Sequence, residues 1–302
     1  MDKKITVITP TYNRADSLER VYQSLANQSF KDFKWLVMDD GSTDETQSII
    51  KRFQSENEFD IVYYQQENAQ LFITMLRAYK KVDTPYFMRL DSDDELPPEA
   101  LSQLFENMSK VEKNDNIWAV VGRVQYANKN WTTDAFPENL TTKVFLMRNQ
   151  FKVGGAHSGL FKAHLLNLED IKEDNYLGKG YISNFLHMKS DSQFLTRFIN
   201  NIVYTYHIDD EDQHNLTKTK FQPKNAFGLA MYHLHYLKYY HQYLYTYPKP
   251  ILGNLYRYLY YSAYIKENKL INTLKTLPNY QLKILSCLLF PMILVRKYFS
   301  KF

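Results

Sequence analysis

Cysteine, glycine and long apolar runs are scarce in this chain, and acidic residues are scarce in one part of it. One cysteine, Cys287, stands among 302 residues. No disulfide framework is possible, and a reducing compartment is expected. The amino terminus, "MDKKITVITPTYNR", has no long apolar stretch, so no secretory signal is expected there. Near the other end "ILSCLLFPMILV" gives 12 apolar residues interrupted by Pro291. Spanning a bilayer takes roughly 20, so this run is expected to lie in a membrane interface rather than to cross. From Lys218 onward there are 13 Lys or Arg and a single acid, Glu267, a net of +12. The first 217 residues carry 24 basic and 32 acidic residues, a net of −8. A composition break that sharp predicts two parts with different surroundings.

What is present describes an ordinary globular protein, 44% hydrophobic and 23% charged. In the first half, short apolar, β-branched runs alternate with amphipathic stretches. "ITVI", "FKWLVMDD", "IVYY", "YFMRL" and "IWAVVGRV" read as strands. Residues 16–28, 43–57, 68–82 and 98–113 read as helices between them. That alternation predicts an α/β fold with a mostly parallel sheet, whose ligands bind beyond the carboxyl ends of the strands. Residues 125–217 are less regular, with a "GGAHSG" turn and a polar helix expected around Ser190 to Asn200. After about residue 222 the pattern is helical and tyrosine-rich.

Two acidic clusters fall at strand ends. "YFMRLDSDDEL" delivers Asp91, Asp93, Asp94 and Glu95 at the end of an apolar run, and "MDDGSTDE" places Asp39 and Asp40 at the end of another. Hard oxygen ligands suit magnesium, manganese or calcium. An EF-hand starting at Asp91 is excluded, because its sixth and twelfth positions are Leu96 and Ser102. Helix capping is the ordinary alternative. It accounts for Glu95 before "LPPEALSQLF", and for a Ser42–Glu45 capping box. It does not require Asp91, Asp93 and Asp94 together, nor two acidic strand ends in one sheet.

The stretch "ITVITPTYNRADSLERVYQSLANQSFKDFKWLVMDDGSTDET", followed by "YFMRLDSDDEL", resembles family-two glycosyltransferases of the GT-A fold, of the bacterial surface-polysaccharide type. The likeness covers residues 4–125 most fully and reaches more weakly to about 215. It implies a Rossmann-like, mostly parallel sheet: a catalytic domain over 1–220, with a donor-binding half of about 1–125 and an acceptor half of about 126–220. A helical extension over 221–302 would follow. It further implies that Thr9, Pro10 and Tyr12 line a nucleotide pocket and that Asp40 accepts a hydrogen bond from uracil. Asp91 would support the loop, Asp93 would contact ribose, and Asp94 would hold a divalent metal, Mn or Mg. Asp191, in "HMKSDSQFLTRF", would be the catalytic base of an inverting transfer from a nucleotide-sugar donor to a glycan or lipid-linked acceptor. The ordinary reading of Asp191 is a helix cap. His157, in "GGAHSGLFKA", and His207, in "YTYHIDDEDQH", could reach substrate, diphosphate or metal, or be structural. The chain departs from the family at "ENAQLF", where Ala69 and Gln70 stand in place of frequent glycines. A nucleotidyltransferase would want a glycine-rich basic loop that "TPTYNRADS" lacks. A binding module that has lost catalysis is the other alternative.

The tail holds 14 of the 25 tyrosines. Tyrosine interleaved with Lys and Arg suits single-stranded nucleic acid, an anionic membrane surface or a packing appendage. The apolar run ending in "RKYFSKF" favours the membrane over nucleic acid, and so a cytoplasmic protein peripheral to the inner face of the plasma membrane.

Overall fold

The computed structural model describes residues 3–130, 132–180, 182, 185–208, 223–265 and 270–299. In chain order its elements begin β1 (Ile5–Thr11), α1 (Ala15–Ala26), β2 (Phe33–Asp39), α2 (Thr46–Glu56), β3 (Asp60–Gln65), α3 (Gln70–Tyr79), β4 (Tyr86–Arg89) and α4 (Ala100–Ser109). They continue with β5 (Ile117–Tyr126), β6 (Thr141–Thr142), α5 (Val144–Asn149), β7 (His157–Lys162), α6 (Met188–Gln193) and β8 (Leu195–Tyr206). The last helices are α7 (Ala226–Tyr240), α8 (Pro248–Ser262), α9 (Leu270–Thr276) and α10 (Tyr280–Phe299). The chain divides into two compact units. The first is Met1–Asn167 with Gln193–Glu211, and the second is Leu168–Ser192 with Asp212–Phe302. Leu168–Ser192, which the sequence pattern groups with the sheet, thus clusters with the helices.

The first unit is built on an eight-stranded sheet of order β3-β2-β1-β4-β7-β5-β8-β6. β3, β2, β1 and β4 run parallel, β7 is antiparallel to both β4 and β5, and β8 is parallel to β5. β1 and β2 are buried along nearly their whole length, as expected of central strands covered on both faces. α1 buries Leu18, Val21, Tyr22 and Leu25, a spacing that keeps one helical face on the sheet. Tyr22 stacks on Phe53 of α2 with ring centroids 4.1 Å apart.

One expected helix is a strand. The polar helix expected over Ser190 to Asn200 stops at Gln193, and Leu195–Tyr206 joins the sheet as β8. "FINNIVYTY" is rich in β-branched and aromatic residues, and a place beside β5 outweighs the local helical signal. Gly122 makes the approach possible: a Cβ there would stand 2.7 Å from a methyl of Val203.

The second unit is helical. α7 packs on α8, and α10 packs on α8 as well. The His233 Nδ1–H donates to Asn254 Oδ1 at 2.7 Å between α7 and α8. Several tail tyrosines are core residues, Tyr240 and Tyr258 among them. His235 is buried, with its ring 4.1 Å from Phe185 and its Nε2 sharing a hydrogen bond of 3.1 Å with the Tyr176 hydroxyl. Burial, and secondarily the Lys238 ammonium, push its pKa down to about 4, with Asp170 opposing.

A histidine held neutral by folding binds a proton more readily when unfolded. Its contribution is complete above about pH 6.5 and is lost as pH falls toward 4. Urea unfolding of the wild type is expected to weaken across that window by more than that of His235→Phe, which keeps the ring stack. Parallel pH profiles for the two proteins would remove His235 from the acid response.

Candidate active site

β1 lies between β2 and β4, so the segments after these three strands meet at the carboxyl edge of the sheet. The turn after β1 is tied to the one after β2. Asn13 takes a left-handed conformation, φ 50°. Its N–H donates to Ser42 Oγ at 2.9 Å, and its Oδ1 accepts from the Thr43 N–H at 2.8 Å. Asp44 accepts the Ala15 N–H at 3.1 Å and the Thr46 N–H at 3.0 Å, so one carboxylate serves the starts of both α1 and α2. The expected Ser42–Glu45 capping box does not form, because Ser42 is engaged by Asn13 and Glu45 is itself the residue before α2.

Asp39 and Asp40 are both buried. Asp39 accepts from the Ser42 N–H at 2.8 Å and from the Tyr63 hydroxyl. Asp40 accepts from the Ala69 N–H and from Gln66 Nε2, both at 2.8 Å and both on Oδ1. The departure at "NAQL" therefore keeps a backbone contact to Asp40. Gln70 there adopts φ 72°, a conformation that glycine takes at less cost. Thr9 spends its hydroxyl on the Trp35 Nε1–H at 2.8 Å inside the sheet, and Pro10 is buried. Tyr12, 38% exposed, reaches the surface beyond them.

The acidic loop after β4 is clasped by β8 and the residue just beyond it. The Tyr204 hydroxyl accepts the Asp91 N–H at 3.0 Å and donates to Asp94 Oδ2 at 2.7 Å. The His207 N–H donates to Asp94 Oδ1 at 2.9 Å. Glu95 is not a helix cap. It pairs through its backbone with Thr205, and its carboxylate lies 3.4 Å from His207 Nε2; Glu99 precedes α4 instead. Arg89 Nε donates to Asp91 Oδ1. From α1 and the turn before it, Ser17 donates to the Ser92 carbonyl at 2.7 Å, Arg20 to the Asp93 carbonyl, and Arg14 lies 3.6 Å from the Asp93 carboxylate.

Asp94 is 1% exposed. Burial, then the nearby Asp91 carboxylate, push its carboxyl up to about 8, while the His207 N–H and Tyr204 hydroxyl pull the other way. A carboxylate so short of compensating charge is suited to a neighbouring cation. Among the described residues no group of three or more His, Cys, Asp or Glu converges as a complete metal cage. The set fits a hard cation of the kind that takes one or two carboxylates and completes its shell with substrate phosphates and water. Asp93 is the half-open member of that pair, and Asp94 is the sealed one.

His157 opens β7, and its Nδ1 accepts from Arg148 Nη2 at 3.0 Å. Desolvation and the Arg148 guanidinium push its pKa down to about 3, which leaves a neutral ring. Asp191 lies within α6 in the second unit, its N–H donating to the His187 carbonyl at 2.9 Å. The structure thus brings Asp91, Asp93, Asp94 and His207 together in the first unit, with Asp39 and Asp40 at the end of β2, on the other side of β1. Sequence reading missed Tyr204, Arg14, Ser17 and Arg20 as supports of this loop. The "IVYTY" alternation before His207 is the signal that could have revealed Tyr204.

Comparison with known proteins gives concordant findings. The family model described as glycosyl transferase family 2 matches residues 6–167. Glycosyltransferase GlyA of Streptococcus pneumoniae is 28% identical over 225 residues, 69% of this chain and 31% of that protein. The GalNAc(5)-diNAcBac-PP-undecaprenol beta-1,3-glucosyltransferase of Campylobacter jejuni is 29% identical over 185 residues, covering 57% of this chain and 56% of its own. The chain thus spans about a third to somewhat over half the length of these curated relatives. Among solved structures, Staphylococcus aureus TarS 1-349 in complex with UDP-GlcNAc superposes with a TM-score of 0.57 at 15% identity, over 91% of this chain and 84% of that one. At that identity the likeness establishes the fold, GT-A.

Replacing Tyr204 by Phe leaves the buried Asp94 oxygen and the Asp91 N–H without their shared partner. The expected cost is about 1–3 kcal/mol in urea unfolding. Tyr206→Phe, two residues on and partly exposed, should stay within about 0.5 kcal/mol. Equal losses for the two would mean that the clasp contributes nothing specific.

Proposed function

This chain belongs to glycosyl transferase family 2, and we propose that it transfers a sugar from a UDP-sugar to a hydroxyl of a glycan or lipid-linked acceptor in bacterial surface-polysaccharide synthesis. The observation that carries this reading is the acidic loop Asp91–Glu95, pinned by β8 beside the ends of β1 and β2, where open α/β sheets take nucleotides. The UDP-GlcNAc held by TarS supports a UDP-linked donor. The undecaprenol-linked glycan named for the Campylobacter relative supports a lipid-linked acceptor. The poly(ribitol-phosphate) named for TarP of S. aureus, 26% identical over 227 residues, supports a surface-polymer acceptor.

In this reading Tyr12 packs on the base, Thr9 and Pro10 shape the wall behind it, and Asp40 meets the uracil ring. Asp93 faces ribose and diphosphate, and Asp91, through Arg89, keeps the loop in place. A divalent cation, Mn or Mg, bound at the Asp93–Asp94 pair would offset the charge that develops on the leaving nucleoside diphosphate. Asp191 takes the proton from the acceptor hydroxyl as that oxygen attacks the anomeric carbon and the bond to the diphosphate breaks. One displacement without an enzyme nucleophile inverts the anomeric configuration. A neutral His157 suits a hydrogen bond to an acceptor hydroxyl, and His207 braces the acidic loop. The enzyme works in the cytoplasm against the inner face of the plasma membrane, where a lipid-linked acceptor is found.

Two measurements test this. Asp191→Asn should hold donor affinity within a few-fold while lowering turnover by about 100-fold or more, as expected of a group needed in the transition state. Collapsed donor binding with a high residual rate would make Asp191 structural.

Donor hydrolysis should be stimulated by manganese and abolished by a chelator. Asn at Asp93 or at Asp94 should remove most of the metal-dependent part of donor binding, since a neutral amide is a poorer ligand and a poorer counter-charge. Near-wild-type stimulation in both variants would take the acidic loop out of the donor site.

A further inference from the structure

α10 is rich in apolar residues on more than one side, yet only one side of it is covered. Asn279 starts the helix by accepting the Leu282 N–H at 2.9 Å. Leu282, Ser286 and Ile293 are fully buried on the side that packs against α8. Opposite them Tyr280, Ile284, Leu288 and Met292 are 67%, 57%, 68% and 68% exposed. Cys287 and Pro291 are exposed too. These six positions are spaced at 4, 3, 1, 3 and 1 residues, which is one continuous stripe on an α-helix. An apolar stripe of about three turns on a globular surface marks a contact surface.

Charge identifies the occupant. The segment from Lys218 onward has 13 basic residues and one acid. Lys275 and Lys283 flank the start of α10, and Arg296, Lys297 and Lys301 follow its apolar run in sequence. A second copy would set this cationic segment against itself, whereas an anionic lipid surface complements it. Among the described residues no helix is long and apolar enough to cross a membrane, which leaves an in-plane helix as the mode of contact.

We infer that the outward stripe of α10 is a membrane-contact surface that seats in the headgroup region of an anionic bilayer. Tyr280 sits at the stripe's amino end, where a tyrosine keeps its hydroxyl at headgroup level. Ile284, Leu288 and Met292 enter below it, while Leu282 and Ile293 remain in the protein core and do not insert. This deepens the membrane-facing part of the function proposed above, but it requires no donor or acceptor, so vesicle binding and sugar transfer can fail separately.

The test uses the full chain with vesicles of phosphatidylcholine alone or mixed with phosphatidylglycerol, followed by flotation at low salt and at ~0.5 M salt. Binding is expected on the anionic vesicles at low salt and should weaken as salt is added. An environment-sensitive fluorophore on Cys287, the single cysteine, should shift to the blue on the same vesicles. The double variant Ile284→Glu, Leu288→Glu should bind about tenfold or more weakly, with manganese-stimulated donor hydrolysis and circular dichroism retained. Tyr245→Glu, at an exposed aromatic outside α10, should bind as the wild type does. Wild-type protein that ignores anionic vesicles at low salt overturns the inference. So does a double variant that still binds, or a concentration-dependent dimer that the double variant dissolves while vesicles go unbound.

Discussion

The buried Asp94 carboxylate is the constraint on which the candidate site depends. A carboxylate at the end of a strand, almost without solvent, needs donors, and the structure supplies them from 110 residues away: the Tyr204 hydroxyl and the His207 amide. Because Tyr204 also accepts the Asp91 N–H, a single phenol oxygen sets the spacing between the two ends of the acidic loop. The loop's shape therefore depends on the register of β8, and that register depends on β5 leaving room for Val203 at Gly122. A site read as local sequence is in this sense a long-range product.

The rest of the edge follows the same logic of shared carboxylates. Asp39 and Asp40 are spent mainly on holding backbone and side-chain donors of the second strand's turn and of the start of α3. Asp44 serves two helices at once. Asp94 is sealed, with a donor on each oxygen, whereas Asp93, facing Arg14, is half-exposed and the Tyr12 ring reaches the surface. This division keeps several negative groups close together without leaving most of them uncompensated.

The second unit solves a different problem. Its basic, tyrosine-rich sequence could have remained a solvated extension, yet His233, His235, Tyr176 and Tyr240 are drawn into a helical core by ring packing and by hydrogen bonds at their polar tips. The aromatic content is therefore mostly architecture. Among the described residues Lys224, Lys238, Lys249, Arg257 and Lys275 are left exposed, and α10 adds an apolar stripe.

Local patterns determined much of this protein. The alternation of buried strands and amphipathic helices through α4, the position of both acidic clusters at strand ends and the helical character of the tail were all legible, because each is set by near neighbours in the chain. β7 and β8 were not legible: their signals are short, and a polar stretch around Ser190 mimics a helix until a place beside β5 decides otherwise. The role of Glu95 was misread for the same reason, since its partner, Thr205, is remote in sequence. Which carboxylate is open and which is sealed, which half of the "ILSCLLFPM" run faces outward, and which tyrosines are core were settled only by tertiary packing. Burial and hydrogen-bond partners belong to the fold, and no single stretch of sequence contains both sides of a contact.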